Sequence, residues 1–241
     1  MRKSIAAAII AASGATAACG QMHEDAGPTV SRNFQVGNFQ QIKVAGNYDV
    51  TVQTGANPGV TAQGSQKLLD KTIVEVRGDE LLIHPEEHNG FSFFHFGTRG
   101  KAHFTVTVPQ LTAATLAGAG DLNVNAVSGD HFEATLAGSG GLGIGSANLK
   151  SMKLSLAGSG DVKVGSGQVG SAEYEIVGAG DVDATGVTSQ QLKVSIAGSG
   201  DLKAHATGAA DVSIMGAGDV TVTGGAKCTL HKAGAGDVHC S

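Results

Sequence analysis

Six aspartates recur in one setting along the second half of the chain. Asp121, Asp161, Asp181, Asp201, Asp219 and Asp237 each follow a Gly-[Ala/Ser]-Gly triplet. With the variant copy that carries Gly141 in the same place, the steps are 20, 20, 20, 20, 18 and 18 residues. If the copies stack, the carboxylates form one column, and like charges about 5 Å apart repel. Two chemistries relieve that repulsion. Each carboxylate can accept hydrogen bonds from nearby glycine N–H groups in an Asx-type turn. Alternatively calcium can bridge the column, as in Gly-rich nonapeptide rolls. Those rolls repeat every nine residues and converge several ligands, whereas here there is one Asp per longer unit. The structural role is therefore the leading expectation and calcium the alternative; no other cofactor is expected.

A second group lies in the insert from His84 to Gly97. His84, His88, His95 and His103 lie close in sequence, with Glu86 and Glu87 among them. Imidazole and carboxylate hold transition metals, but the spacing matches no metal motif and no metal site is assigned. Phe91, Phe93, Phe94 and Phe96 supply half of the chain's 8 phenylalanines. They read as a long hairpin loop covering the end of the molecule, or as an exposed apolar patch that binds a partner. Arg77-Gly78-Asp79 is an integrin-type tripeptide, but it separates two strand-like runs, where Gly-Asp suits a hairpin turn.

Signatures of catalysis are missing. The chain has no Gly-x-Ser-x-Gly elbow, no phosphate-binding loop and no His-Glu-x-x-His. Polysaccharide lyases built as β-helices present basic residues along a groove; here the repeats carry only scattered Lys153, Lys163, Lys193 and Lys203. A polysaccharide-active enzyme is the weakest of the readings.

The first residues address the compartment. Met1-Arg2-Lys3 is a short positive start, Ile5 to Ala12 are apolar, and small residues lead to Cys19. This pattern describes a secretory signal peptide over residues 1–18. Thr16-Ala17-Ala18-Cys19 resembles a bacterial lipobox, although Thr16 stands where an aliphatic residue is usual. Lipidation of Cys19 is the expectation, with ordinary cleavage near Ala17 or Ala18 the alternative. Gly20 after the cysteine favours delivery to the outer membrane, by resemblance to Gram-negative lipoproteins. Which face of that membrane carries the protein stays open. Cys228 and Cys240 are then expected to pair in an oxidising compartment, against the alternative of two free thiols.

Removing residues 1–18 takes the 16 basic residues to 14 against 21 acidic, a formal charge of −7. An acidic chain is a poor partner for nucleic acid. Glycine is the compositional outlier, 37 of 241, with only 4 prolines and no collagen period, so the glycines belong at turns.

The repeats dictate the elements that must position these groups. Met152, Leu154 and Leu156 alternate with Lys153 and Ser155 before one triplet, and Val162 and Val164 flank Lys163 after it. Strict alternation predicts half-buried strands either side of a glycine corner. Such units cannot bury an apolar face alone; stacked in register they make an all-β, right-handed parallel β-helix with 18–20-residue rungs. Seven rungs would rise about 34 Å. An older copy is legible at Val44-Ala45-Gly46-Asn47-Tyr48-Asp49-Val50. An antiparallel barrel is the rival fold. The open ends of a β-helix need caps, expected from the N-terminal region at one end and from Lys227 to His239 with its cysteines at the other.

The run from Phe39 to Val50, Leu81-Leu82-Ile83, Phe104 to Leu111 and then the Gly-Ser-Gly-Asp ladder occur in that order. In this the chain resembles the head GIN domain family, described as "putative auto-transporter adhesins", over residues 33–241. The resemblance implies a β-helical, exported, non-enzymatic protein. The organisation expected is a signal peptide at 1–18, a tether at 19–30, an N-terminal β-region at 31–112 and a repeat β-helix at 113–241. The function expected is a lipid-anchored, cell-envelope binding or adhesion module with an unidentified surface ligand. The alternative is a periplasmic structural or assembly scaffold acting through residues 91–96.

Overall fold

The computed structural model describes residues 27–86 and 101–241. It is a parallel β-solenoid, and the parallel pairing of its repeats excludes the antiparallel barrel. Five long strands each wrap a complete turn: β9 (Asp121–Gly138), β10 (Gly141–Gly158), β11 (Asp161–Gly178), β12 (Val182–Gly198) and β13 (Leu202–Gly216). β14 (Val220–Thr223) stacks on the start of β13, and the last turn is built from β15 (Lys227–Gly234) and β16 (Val238–Cys240). One face of the coil carries the segments just after each glycine corner, ending in β14 and β16. The opposite face carries the segments just before it, ending in β15.

Alternation builds the core. Leu122, Leu142, Val162, Val182, Leu202 and Val220 form one inward column, and Leu136, Leu156, Ile176, Ile196 and Ile214 another; all are buried. Volumes are balanced within a turn: where β9 sets Phe132 before Ala134, β11 sets Ala172 before Tyr174. Steric complementarity of this kind fills an interior to crystal-like density.

The shortening of the repeat from 20 to 18 residues is absorbed away from the glycine corner. Between β12 and β13 the register shifts twice, between Ala184 and Thr188 and between Ser189 and Gln191. Both flanking ladders thereby stay aligned. Ser189 follows Leu149 and Val169 in its column and is buried, and its hydroxyl donates to His205 O at 3.1 Å. The buried hydroxyl is thus satisfied inside the core.

The solenoid begins before the repeats. β2 (Gln41–Gly46) and β3 (Asp49–Thr54) lie directly on β8 (Ala113–Gly118) and β9, pairing Val44 with Leu116 and Val50 with Leu122. Between β3 and β8 the chain leaves to build the cap. β6 (Glu80–Pro85) extends one face from β2, and β5 (Thr72–Arg77) joins it antiparallel. β7 (Ala102–Val108) extends the other face from β3, followed by β4 (Gly59–Ser65) and β1 (Thr29–Phe34), both antiparallel. A five-residue helix, α1 (Gln66–Asp70), buries Leu69 against this end. Arg32 holds the helix there by donating to Leu69 O at 3.0 Å and pairing with Asp70.

Two tyrosines in the core give the fold an alkaline limit. Burial pushes the Tyr174 hydroxyl well above its usual 10.0. Burial also raises Tyr48, and the hydrogen bond with Thr72 opposes that rise. A raised folded-state value leaves stability intact below pH 10 or so and removes it as pH rises, because the unfolded chain ionises first. Denaturant midpoints should therefore stay level up to that pH and fall above it. Tyr174→Phe should flatten the fall, which titration of the two proteins side by side would check.

Candidate binding surface

The corner that carries the aspartates is made by two glycine columns. Gly118, Gly138, Gly158, Gly178, Gly198, Gly216 and Gly234 take positive φ between 129° and 149°. Two residues on, Gly120, Gly140, Gly160, Gly180, Gly200, Gly218 and Gly236 are buried. The carboxylates then reach across turns rather than back into their own corner. Oδ1 of Asp121 accepts the amide of Gly141 at 3.0 Å, Asp161 that of Asp181 at 3.4 Å and Asp181 that of Asp201 at 2.9 Å. Asp201 accepts from Asp219, and Asp219 from Asp237, both at 2.8 Å. In each of these bonds the donor is the corner residue of the next turn, a glycine only at Gly141, and not a glycine of the same corner. These bonds hold the first five carboxylates against the next turn, and Asp237, last in the column, lies 3.4 Å from Lys232 Nζ. Among the described residues, no group of three or more His, Cys, Asp or Glu side chains is arranged to hold a metal.

Asparagine keeps the accepting oxygen and removes the charge, whereas alanine removes both. Asp201→Asn should therefore melt at or slightly above the parent temperature, and Asp201→Ala a few degrees below it, with chelator changing neither. A parent protein whose melt falls on chelation would instead assign the column to calcium.

The outer faces carry ladders of alternating charge. Glu133, Lys153, Glu173, Lys193 and Asp211 succeed one another in register on one face. Lys163, Asp183 and Lys203 do so on the other. Lys193 Nζ lies 2.9 Å from Glu173 Oε1; that contact holds Glu173 below the usual carboxyl range and raises Lys193. Asp183 is held low first by the Thr185 hydroxyl and amide, then by Lys163 and Lys203. The four lysines singled out in the repeats thus sit beside carboxylates, and they line no basic groove. The sequence carries this signal at the repeat spacing, opposite charges 20 residues apart, but it is visible only after the repeats are aligned.

Apolar side chains also reach the surface in one column that the sequence reading missed. Val177 is 49% exposed and Met215 70% exposed, and Ala197 stands between them in register. Among the described residues the other large exposed apolar side chain is Leu230, in the last turn. The Val177–Met215 column runs along the corner, with the aspartates on its far side. A separate open depression of about 440 Å³ is lined by Gln110, Thr112, Gly129, Asp130 and His131. There His131 Nδ1 lies 3.0 Å from Ser151 Oγ, and Lys150 pairs with Asp130 at 2.8 Å.

The remaining candidates are dispersed. Arg77-Gly78-Asp79 forms the β5–β6 turn, with Gly78 at φ 67°. Arg77 pairs with Glu75 at 2.6 Å, and Asp79 O accepts the amides of Gln40 and Gln41 at 2.8 and 3.0 Å. His84, on β6, contacts Glu75 at 3.2 Å, whereas His103, on β7, belongs to the other face. Cys228 and Cys240 form a disulfide across the last turn, with Cα atoms 6.6 Å apart. Cys19, Phe91, Phe93, Phe94, Phe96, His88 and His95 lie outside the described residues.

A family model described as "Putative auto-transporter adhesin, head GIN domain" matches residues 38–226. Solved structures share the fold. A "putative adhesin" from Bacteroides fragilis NCTC 9343 superposes with a TM-score of 0.78 at 20% identity, covering 89% of this chain and 97% of that one. A "putative lipid binding protein" from Parabacteroides distasonis ATCC 8503 gives 0.70 at 20% identity, with 89% and 97% covered. A "putative adhesin" from Parabacteroides merdae ATCC 43184 gives 0.69 at 17% identity, with the same coverage. No curated protein matches the chain.

Proposed function

Because the chain belongs to the head GIN domain family, we propose that it is a non-enzymatic adhesion module of the cell envelope, exported by residues 1–18 and held by a lipid on Cys19. The tether runs from Cys19 to the start of β1 at Thr29, short of the expected bound at residue 30, and the β-region up to 112 with the repeats at 113–241 forms the module. The observation that carries this reading is the exposed Val177–Ala197–Met215 column beside the line of aspartates. Rigid backing from the ladders presents that strip without an ordering cost on binding. One fold relative is named as lipid-binding. Here the interior columns are filled by apolar and aromatic side chains that are almost wholly buried, so a lipid would be met on the outside of the coil. Among the described residues no helix is long and apolar enough to cross a membrane, and attachment through Cys19 would supply the membrane contact.

Binding of the purified mature protein to isolated envelopes tests this reading. Saturable retention is expected, falling at least tenfold in Val177→Glu/Met215→Glu at an unchanged melting temperature. Retention that survives this change but is lost in Phe93→Ser/Phe94→Ser would transfer the function to the Phe-rich segment. No saturable retention by the parent protein would remove the adhesion reading.

A further inference from the structure

We propose that the C-terminal end of the solenoid is a self-association surface for a second copy of this chain, covered by a last turn that the Cys228–Cys240 disulfide closes into a ring. The last turn is the least embedded part of the repeat region. Among the described residues, β15 is hydrogen-bonded on one side only, to β13, and β16 only to β14. Along β15 the residues are exposed apart from half-buried Cys228. The inward columns change character there: Ala210 is followed by Cys228, Val212 by Leu230 and Ile214 by Lys232. On the facing sheet Val222 is followed by Cys240. Lys232 turns toward the corner, 3.4 Å from Asp237.

The turn beneath it is different. Ala210, Val212, Ile214, Val220 and Val222 are all 2% exposed or less, and among the described residues it is the last turn that covers them on this side. Both cysteines lie within that turn, 12 residues apart in sequence. The disulfide therefore joins the two walls of the turn to each other, and not to the body of the rod. Its effect is to limit the freedom the turn gains on fraying. Opening a ring of this size raises the frayed population on the order of a hundredfold. A dithiol reductant does this by exchange: the S–S bond breaks, its two sulfurs take two electrons and two protons as thiols, and the reductant is left as a disulfide. Gly224 and Gly225, at φ 104° and 77°, form the joint at which the turn leaves.

The surface so uncovered fits its own copy. It is an unpaired strand edge with apolar columns on two facing sheets, and an unpaired edge recruits another strand. The other end of the rod does not match it, because α1 and the antiparallel strands β1, β4 and β5 close that end. Two C-terminal ends related by a two-fold axis bring the same columns together with strands antiparallel, and such a contact closes at two copies.

Light scattering after size exclusion, run on the mature chain over a concentration series with and without a dithiol reductant, tests this. Hydrogen exchange on the same samples locates the change, and Cys228→Ser/Cys240→Ser provides the open turn without reagent. The oxidised protein should be monomeric. The reduced protein and the double variant should dimerise with rising concentration. Their amides at 227–240 should exchange on the order of a hundredfold faster, while those at 209–216 stay protected in the dimer. Unchanged protection at 227–240, fraying without association, association into larger species or an oxidised protein that is already dimeric would each overturn the proposal.

Discussion

Gly178→Ala should lower the stability of the folded chain by about 4 kcal/mol, combining backbone strain with overpacking. Gly178 takes φ 129°, where a side chain is strained whatever the space around it. The space is also missing: a Cβ there would lie 2.2 Å from Gly158 O and 3.0 Å from Gly158 C. That carbonyl cannot turn aside freely, because it accepts the amide of Ala179 at 2.8 Å. Relief in one turn must therefore break a bond to the next. The same geometry recurs along the column, so the loss is a property of the stack. Gly37 supplies the comparison, since a methyl group there would meet nothing within 4 Å; Gly37→Ala should change stability by less than about 0.5 kcal/mol. Denaturant unfolding of the two variants checks both values, and a Gly178→Ala protein as stable as the parent would contradict the corner described above.

Phe104→Ala should cost about 3–5 kcal/mol, the range for emptying a fully buried aromatic site. Phe104 is 0% exposed and sits where the antiparallel cap meets the parallel ladder, opposite Val50 on one side and Ala62 on the other. Its ring meets Tyr48 edge-on at 5.4 Å and Phe34 at 6.4 Å. Phe34 lies on the terminal strand β1, so the cavity would loosen three strands together. Protection of β1 and β4 amides should fall before that of β10 or β11. Phe104→Leu fills much of the space and should lose less than half as much. Equal losses in the two variants would mean that the site is not packed as described.

Much of this architecture was legible because the repeats are local. The glycine triplets mark every corner, and Met152-x-Leu154-x-Leu156 shows which residues turn inward before a corner is known. The early copy at Val44–Val50 was legible for the same reason, and it stacks on Leu116–Leu122 at an offset of 72 residues. The cap was not. Nothing in β4 or β7 states that one runs antiparallel to the other, because their alternation is the same in either direction. The partners of the aspartates also escaped the sequence. An Asx turn within one corner and a bond to the next turn use the same residues, and only the stacking distance selects the second. Val177 and Met215 were hidden for a different reason: each reads as one more apolar residue before a corner. Only the register shows them on the outward side, next to Ile176 and Ile214, which point in.

Protease shaving of intact cells, with detection of the full-length protein and a periplasmic control, tests the adhesion account most directly. A module that binds outside partners must be digested while the control survives, and digestion is expected. Survival until the outer membrane is opened would place the protein facing the periplasm and contradict it.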